Sequence, residues 1–377
     1  MKITTISADA LTDGQIARWA DLQKQTQEFG SPLVGPYFAH LVQKHRGDVH
    51  VAIASQDGRD VAFFAFHRAS HGYVRPVGAP FSDYQAVVSE PGVALDGTAF
   101  LAEAGIARMA VSGLMDPHGL FAGSVLEPVL GYRIRIHDGG AAKMERLRQA
   151  NPKWAKNLRR LANKMDRELG PIRFVTGDQN PDALEAVLQL KVDQYRESGL
   201  TDVLRPVWVK AMMNDLFSRT DPAFGGCLMT LYAGDYMVSG QFGVRQGGWF
   251  HPWIASSCPK AHPYSPGIVF LGQMIRFAEN IGIDTIDLAQ GHSNYKSQFS
   301  RNPVTVQAGQ IGRRAIPASA MGQGPIGMIQ KRLDLIASVE PDLAGRLHAG
   351  WAAVASAPRR LMARGKAQQP DRVSSDD

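Results

Sequence analysis

One stretch of the chain, residues 284–299, holds an acid, a histidine, a tyrosine and a lysine whose chemistry suits proton transfer. Asp287 lies in an apolar run, His292 follows in a polar loop, and Tyr295 and Lys296 come next. A carboxylate or an imidazole can accept a proton from an amine, a phenol can donate one, and an ammonium can stabilise a negative oxygen. We predict these four residues as catalytic candidates. The alternative for each is an ordinary structural or solvated side chain.

The segment just before this stretch predicts a helix start that can bind an anion. Ser265 is a good N-cap, Pro266 suits the first helical position, and Gly267 follows. The N–H groups at a helix start have no partner within the helix, and the helix dipole favours a negative ligand there. We therefore predict Ser265, Gly267, Ile268 and Val269 as anion-binding residues, against the alternative of a simple capped helix.

A helix and a strand must position these residues. Apolar side chains recur at three-to-four spacing over residues 271–281, which predicts an amphipathic helix, and Gly282 is the expected left-handed stop. Residues 284–289 then predict a short strand in which Asp287 faces away from its apolar neighbours.

A second group of residues could line a cleft for an acceptor molecule, since aromatic faces suit sugar rings and polar edges suit hydroxyls. This group consists of Asp83, Tyr84, Trp249, His251 and Trp253. Arg159, in a basic segment, could meet a phosphate. The alternatives are ordinary strand residues for the group and a solvated helix face for Arg159.

The two halves of the chain share a pattern. Each half predicts helices, then a hairpin with a glycine turn (Asp57-Gly58 or Gly234-Asp235), then a helix, placed at residues 98–111 in the first half, and a strand, placed near Leu120 there. Only the second half carries Ser265-Pro-Gly and Tyr295-Lys. We therefore predict an internal duplication with one active and one degenerate copy.

The bulk properties fit a globular protein of two domains. The chain has 377 residues, a formal net charge of +6 and two cysteines. Two cysteines are too few for a disulfide framework or a cysteine metal site, and we expect no metal. No apolar run reaches the ~18 residues of a membrane span, and no signal peptide is recognised, so we expect a cytoplasmic protein, with contact at the inner membrane surface as an option.

The motifs together resemble the FemAB-like and CelD-like acyltransferases of the GNAT superfamily. They are Phe81-Ser-Asp-Tyr84, Asn157-Leu-Arg-Arg160, Ser265-Pro-Gly267 and the run from Gly291 to Phe299. The resemblance implies an α+β fold of two tandem GNAT-like domains, each a twisted, mostly antiparallel sheet flanked by helices. The predicted parts are residues 1–140 (degenerate), 141–170 (basic linker helix), 171–315 (catalytic), and 316–377 (linker, helices and polar tail).

The resemblance also implies a reaction. An acetyl or similar acyl group would pass from acyl-coenzyme A to an amino sugar of an exopolysaccharide or lipid-linked glycan precursor. The usual glycine-rich pyrophosphate loop is replaced by Ser265-Pro-Gly267 and Gly272, so Gly272 joins the predicted donor-binding residues. Asp287 or His292 would take the amine proton, Lys296 would stabilise the oxyanion, and Tyr295 would protonate the thiolate.

Two alternatives remain open at this point. One is a FemX-type transferase that uses aminoacyl-tRNA on a peptidoglycan precursor, which the basic linker helix favours. The other is a non-catalytic regulator that binds a cyclic dinucleotide through Arg359, Arg360 and Arg364, two of which have the Arg-x3-Arg spacing of such receptors. DNA is not among the expected partners.

Overall fold

Strands and helices fill most of the computed structural model, which describes residues 1–291, 294–300, 303–322 and 324–355. The strands are β1 Lys2–Ser7, β2 Val49–Gln56, β3 Arg59–Arg68, β4 Tyr73–Pro76, β5 Val88–Ser89, β6 Arg108–Leu114, β7 Glu127–Arg135, β8 Ile172–Thr176, β9 Gly225–Ala233, β10 Tyr236–Gln246, β11 Trp249–Ser257, β12 Thr285–Gln290, β13 Val304–Gly312 and β14 Ile316–Pro317. The α-helices are α1 Asp13–Gln25, α2 Pro36–Arg46, α3 Gly97–Glu103, α4 Gly140–Ala150, α5 Pro152–Leu169, α6 Pro181–Ser198, α7 Val207–Ser218, α8 Pro266–Phe277, α9 Asn294–Phe299, α10 Gly324–Val339 and α11 Leu343–Ala355.

All the strands belong to one sheet. Its second half repeats the strand order of its first half in the reverse direction. The order is β1-β2-β3-β4-β6-β13-β7-β12-β11-β10-β9-β8, with β5 beside β3 and β14 beside β13. The pairs β4–β6 and β11–β12 are parallel, and the other pairs are antiparallel. The predicted fold class, mixed α and β with a mostly antiparallel sheet in each half, is confirmed.

The two halves exchange their last strands. β7 comes from the first half of the chain but pairs with β12 of the second, and β13 comes from the second half but pairs with β6 of the first. β7 and β13 also pair with each other, from Val304–Gly131 to Ala308–Glu127. The sheet therefore runs without interruption through both halves. The domain boundaries at residues 140, 170 and 315 stay a prediction.

The helices cover both faces of the sheet. On one face α1, α2, α6 and α7 enclose a single core that takes residues from both halves, including Trp19, Phe38, Met212 and Phe242. On the other face α5 and α8 cover the second half, and α3 covers the first. Alternating side chains of each strand enter the two cores, as the pleat requires.

The local predictions succeed where turn and cap chemistry is strong. The hairpin turn at Asp57-Gly58 forms with both residues in the left-handed region (φ 53° and 78°). Thr12 caps α1, where its side chain accepts a hydrogen bond from Gln15 N and the Gln15 side chain accepts one from Thr12 N. These devices act over a few residues, so sequence alone identifies them.

Three predicted elements differ from the structure. The predicted helix 98–111 stops at Glu103, since Gly105 turns the chain at φ 76°, and the residues after it form strand β6. The predicted strand near Leu120 is a turn. The predicted linker helix is two helices, because Pro152 cannot continue α4 and the Asn151 side chain caps α5 instead.

The C-terminal helices α10 and α11 pack on each other beside α6. Within the part of the chain that the structure describes, no helix is long and apolar enough to cross a membrane. Arg359, Arg360 and Arg364 lie outside the described residues, as does His292.

Candidate active site

The parallel strands β11 and β12 part soon after they begin, and a cavity opens between them. Their ladder pairs Trp249 with Thr285 and Phe250 with Ile286 and ends there. The cavity has a volume of about 900 Å³. Its wall includes residues of β10, β11, β12, α6, α9 and the start of α8, among them Gln241, Ser257, Ser265, Gly267, Leu288 and Lys296.

The start of α8 is open toward this cavity. Ser265 is left-handed (φ 49°) and its side chain makes no capping hydrogen bond, so the predicted N-cap role is wrong. Its carbonyl oxygen accepts from Ile268 N (3.0 Å) and Val269 N (3.3 Å), which occupies two of the predicted anion donors. Pro266 has no N–H. Gly267, at the second helical position, keeps a donor that helix geometry leaves unpaired, and a Cβ on it would meet no atom within 4 Å.

Three other predicted binding residues lie elsewhere. Val269 is buried, and Gly272 packs against helix α5, where a Cβ would come within 3.1 Å of the Leu158 side chain. Both line a groove between α4, α5 and α8 together with Arg159. None of the three faces the cavity between β11 and β12, because the helical repeat turns Val269 and Gly272 toward α5.

The equivalent helix start in the first half is closed. The Asp96 carboxylate accepts a hydrogen bond from Ala99 N (2.7 Å) at the start of α3. Gly97 N donates to Leu120 O (2.8 Å), and a Cβ on Gly97 would lie 2.7 Å from the Phe121 ring. A negative side chain thus already occupies the position that an anion would take.

Asp287 is the centre of a buried cluster on the other side of β12. Its Oδ1 accepts from the Tyr84 hydroxyl (2.8 Å) and from Ala289 N (2.9 Å), and its Oδ2 accepts from Arg133 Nε (2.9 Å). The side chain is completely buried. Burial and the Asp287 charge raise the pKa of Tyr84 well above its usual value, so the phenol keeps its proton. Asp287 therefore joins segments from both halves.

Asp83 and His251 form the outer part of the same cluster. His251 Nε2 lies 2.8 Å from Asp83 Oδ2. The histidine is completely buried, whereas 39% of the Asp83 side chain is exposed. Gln290 at the end of β12 donates to the Asp83 backbone oxygen (2.9 Å). The structure thus brings together four predicted residues, Asp83, Tyr84, His251 and Asp287, that the sequence left in separate groups.

Lys296 connects the cavity to this cluster. It lines the cavity, and its Nζ donates to the Gln290 backbone oxygen at 3.0 Å. Burial lowers the pKa of Lys296, and the charges of Asp83 and Asp287 oppose that shift in part. Tyr295 precedes it in α9; its side chain lies outside the described residues.

The two predicted tryptophans have packing roles. Trp249 lies against Gly30, and the Arg133 guanidinium stands 4.8 Å from its ring centre. Trp253 packs with Phe38 and Phe81, each at 5.7 Å between ring centres. Both rings lie on the face of the sheet that carries the core common to the two halves. Large aromatic side chains bury much apolar surface there.

Arg133 and Gln290 are the site residues that sequence reasoning missed. Arg133 is 4% exposed and pairs with Asp287 from the exchanged strand β7. A charged residue inside the strand-like run Tyr132-Arg133-Ile134 was the available signal, since such a residue needs a buried partner. Gln290 carries no comparable signal, because it belongs to a polar turn by composition.

Part of the chain matches a known protein family. Residues 152–297 match the family described as "Acetyltransferase (GNAT) domain". This segment contains α8, β11, β12 and the cavity between them. No curated protein matches the chain.

Solved structures are similar to this chain at low sequence identity. The crystal structure of FemX is 10% identical, covers 82% of this chain and 96% of its own, and has a TM-score of 0.52. The C-terminal domain of a putative lysylphosphatidylglycerol synthetase from Agrobacterium fabrum is 11% identical, with 78% and 89% coverage and a TM-score of 0.45. A tandem GNAT protein from the clavulanic acid pathway is 10% identical, with 81% and 96% coverage and a TM-score of 0.44. Residues 152–297 are thus similar to a GNAT acetyltransferase domain, and the fold is similar to that of FemX.

Proposed function

We propose that this protein is an N-acyltransferase that moves an acyl group from coenzyme A to the amine of a sugar in a surface-glycan precursor. The observation that carries the proposal is the cavity of about 900 Å³ that joins the open start of α8 to Lys296. All the residues that line the cavity lie inside the segment that matches the GNAT family.

The donor would bind with its pyrophosphate at the start of α8. Gly267 offers a backbone N–H and leaves room for a close approach, and the helix dipole adds a partial positive charge. The pantetheine arm would then follow β11 toward Lys296, and the thioester would lie near the side of the site where the Asp83 charge acts on Lys296. The closed helix start of the first half supports a single donor site.

Asp83 is the carboxylate best placed to receive the amine. It is the more exposed of the two acids in the cluster, while Asp287 is fully buried with both oxygens engaged. We therefore assign Asp83 to binding and deprotonating the acceptor ammonium, and Asp287 to positioning. Among the residues near the loop after β12, His292 and Tyr295 stay candidates for proton transfer.

The reaction balances with these groups. The acceptor ammonium gives one proton to Asp83, the free amine attacks the thioester carbon, and Lys296 stabilises the oxyanion that forms. As the C–S bond breaks, the nitrogen loses its second proton and becomes the amide nitrogen. The thiolate takes one proton, for which Tyr295 is the candidate donor, and the second proton of the nitrogen restores the phenol. The sugar nature of the acceptor rests on the resemblance to CelD-like proteins.

An acetyl-transfer assay with a panel of amino sugars tests the proposal. We expect Asp83→Asn to lower kcat/KM by about 10²-fold, typical of a lost general base, while acetyl-coenzyme A binds as before. Asp235→Asn, in an exposed hairpin turn, is the matched control and should keep full activity. Absence of acetyl-coenzyme A binding by the wild type would overturn the donor assignment.

A second candidate is aminoacyl transfer from tRNA, favoured by the exposed cations of α5. Lys153, Lys156, Arg160 and Arg167 are exposed along this helix. A phosphate backbone would bind such a face in a salt-dependent way. Reversing two charges, Lys153→Glu with Lys156→Glu, should leave acetyl transfer unchanged. Stabilisation of the protein by aminoacyl-tRNA and not by acetyl-coenzyme A would favour the second candidate.

A further inference from the structure

The ring of His251 is completely buried, and it lies between two carboxylates from different segments of the chain. Its Nε2 is 2.8 Å from Asp83 Oδ2, and its Nδ1 is 3.9 Å from Asp287 Oδ1. Among the described residues Nδ1 has no hydrogen-bond partner. A neutral ring with its proton on Nε2 would point the Nδ1 lone pair at a buried negative oxygen, which is unfavourable in such a site.

The charges around the ring favour a second proton. The groups that face it are Asp83 from the loop after β4, Asp287 from β12, Arg133 from β7, and the Tyr84 ring edge. Two carboxylates and one guanidinium leave one negative charge unbalanced, and an imidazolium balances it. Lys296 lies nearer the cavity, and burial lowers its pKa. Its ammonium therefore offsets the negative charge of the two carboxylates less well than an imidazolium between them does.

We propose that His251 is an imidazolium at neutral pH and acts as a positioning residue that holds the Asp83 carboxylate toward the acceptor. The proposal rests on the proposed function for the role of Asp83, but the protonation state stands on the cluster alone. It also makes the site depend on both halves, because the first half supplies the acid and the second supplies the ring.

The electrostatic balance points the same way. Burial by itself lowers the pKa of His251, but the hydrogen bond and charge of Asp83 and the charge of Asp287 outweigh it, and the pKa is raised overall. The raised pKa favours the doubly protonated ring, which loses its extra proton as the pH rises through the elevated pKa.

Nitrogen NMR of the full chain labelled in its histidines tests the protonation state. The chain has 11 histidines, and the His251 signals are assigned by their loss in His251→Gln. We expect both ring nitrogens of His251 to show imidazolium shifts at pH 7. Asp287→Asn should lower the pH at which the ring loses its proton. Asp48→Asn is the matched control, since it removes the carboxylate beside the other buried ring, His67, and should leave His251 unchanged.

A neutral ring at pH 7, with Nδ1 unprotonated, would overturn the proposal. This result needs only the wild-type spectrum and the assignment variant His251→Gln, so it holds even if Asp287→Asn fails to fold. It is also independent of whether the protein transfers acyl groups.

Kinetics then test the positioning role. Glutamine at residue 251 can still donate a hydrogen bond to Asp83 but carries no charge. We expect His251→Gln to lower kcat by about tenfold or more and to move the acidic limb of the kcat/KM profile to higher pH, with acetyl-coenzyme A affinity unchanged. A glutamine variant with the wild-type kcat and pH profile would show that the charge has no part in placing Asp83.

Discussion

Adding a negative charge at Gly267 should separate donor binding from folding. Gly267 occupies the second position of α8, and a side chain there would meet no atom within 4 Å. In Gly267→Glu the new carboxylate therefore projects into the cavity without a clash. A carboxylate in the first turn of a helix interacts favourably with the helix dipole, by about 0.3–1 kcal/mol, so the fold should be at least as stable.

The expected loss of affinity follows from Coulomb's law. Two like charges about 4 Å apart repel by roughly 1 kcal/mol in bulk water and by roughly 4 kcal/mol near a protein surface. The cavity is open to solvent on one side, so we take about 2 kcal/mol for the repulsion between the new carboxylate and the donor pyrophosphate. That energy corresponds to about 30-fold weaker binding of acetyl-coenzyme A.

Calorimetric titration of acetyl-coenzyme A measures this effect, with two controls. Gly267→Ala adds a methyl group without charge and should bind nearly as the wild type does. Gly14→Glu makes the same change at the second position of α1, where the nearest atom to a new Cβ is Thr12 Oγ1 at 3.9 Å. If Gly267→Glu binds the donor as tightly as Gly14→Glu does, the pyrophosphate does not lie at the start of α8 and the donor assignment fails.

The remaining predictions concern Lys296, Asp287 and Asp215. Lys296→Met should lower kcat by about 10²-fold, as for a lost oxyanion donor. Because burial lowers the pKa of Lys296, wild-type kcat should fall as pH rises through that pKa. This alkaline limb of the pH profile should vanish in the variant. Asp287→Asn leaves the buried charge of Arg133 unbalanced and should cost roughly 3–5 kcal/mol in urea unfolding; a loss below about 1 kcal/mol would contradict the cluster. Burial would raise the pKa of Asp215, but hydrogen bonds from cations including Arg219 outweigh it and hold this pKa well below its usual value of 3.8. The ionised carboxylate therefore stabilises the fold at neutral pH, and this stabilisation is lost as pH falls below about 4. Thermal unfolding from pH 2 to 7 should show a flatter acid dependence for Asp215→Asn than for the wild type.

The local structure around the candidate site follows closely from the sequence. The spacing of apolar residues predicts α8, Gly282 ends the helical segment in the left-handed region (φ 72°), and the strand after it is β12. The hairpins also follow, since turn residues and alternation act within a few positions. The one local error at this site is Ser265, whose residue type suits a cap but whose backbone is left-handed.

The sequence could not predict which residues form the buried cluster around Asp287. Asp83, Arg133, His251 and Asp287 come from four segments, and their contacts depend on which strands lie side by side. The exchange of β7 and β13 brings Arg133 to Asp287, and the alternation of a strand does not reveal its neighbour. Likewise, Val269 and Gly272 turn away from the cavity because α5 packs on that side of α8.

The sequence by itself determined most of the helices and hairpins and the glycine at the start of α8, because these depend on short-range geometry. Only the tertiary structure decided which acid is partly exposed and which is buried. A carboxylate has the same local signature in both places, and its surroundings come from residues up to about 200 positions away, as in the contact between Tyr84 and Asp287.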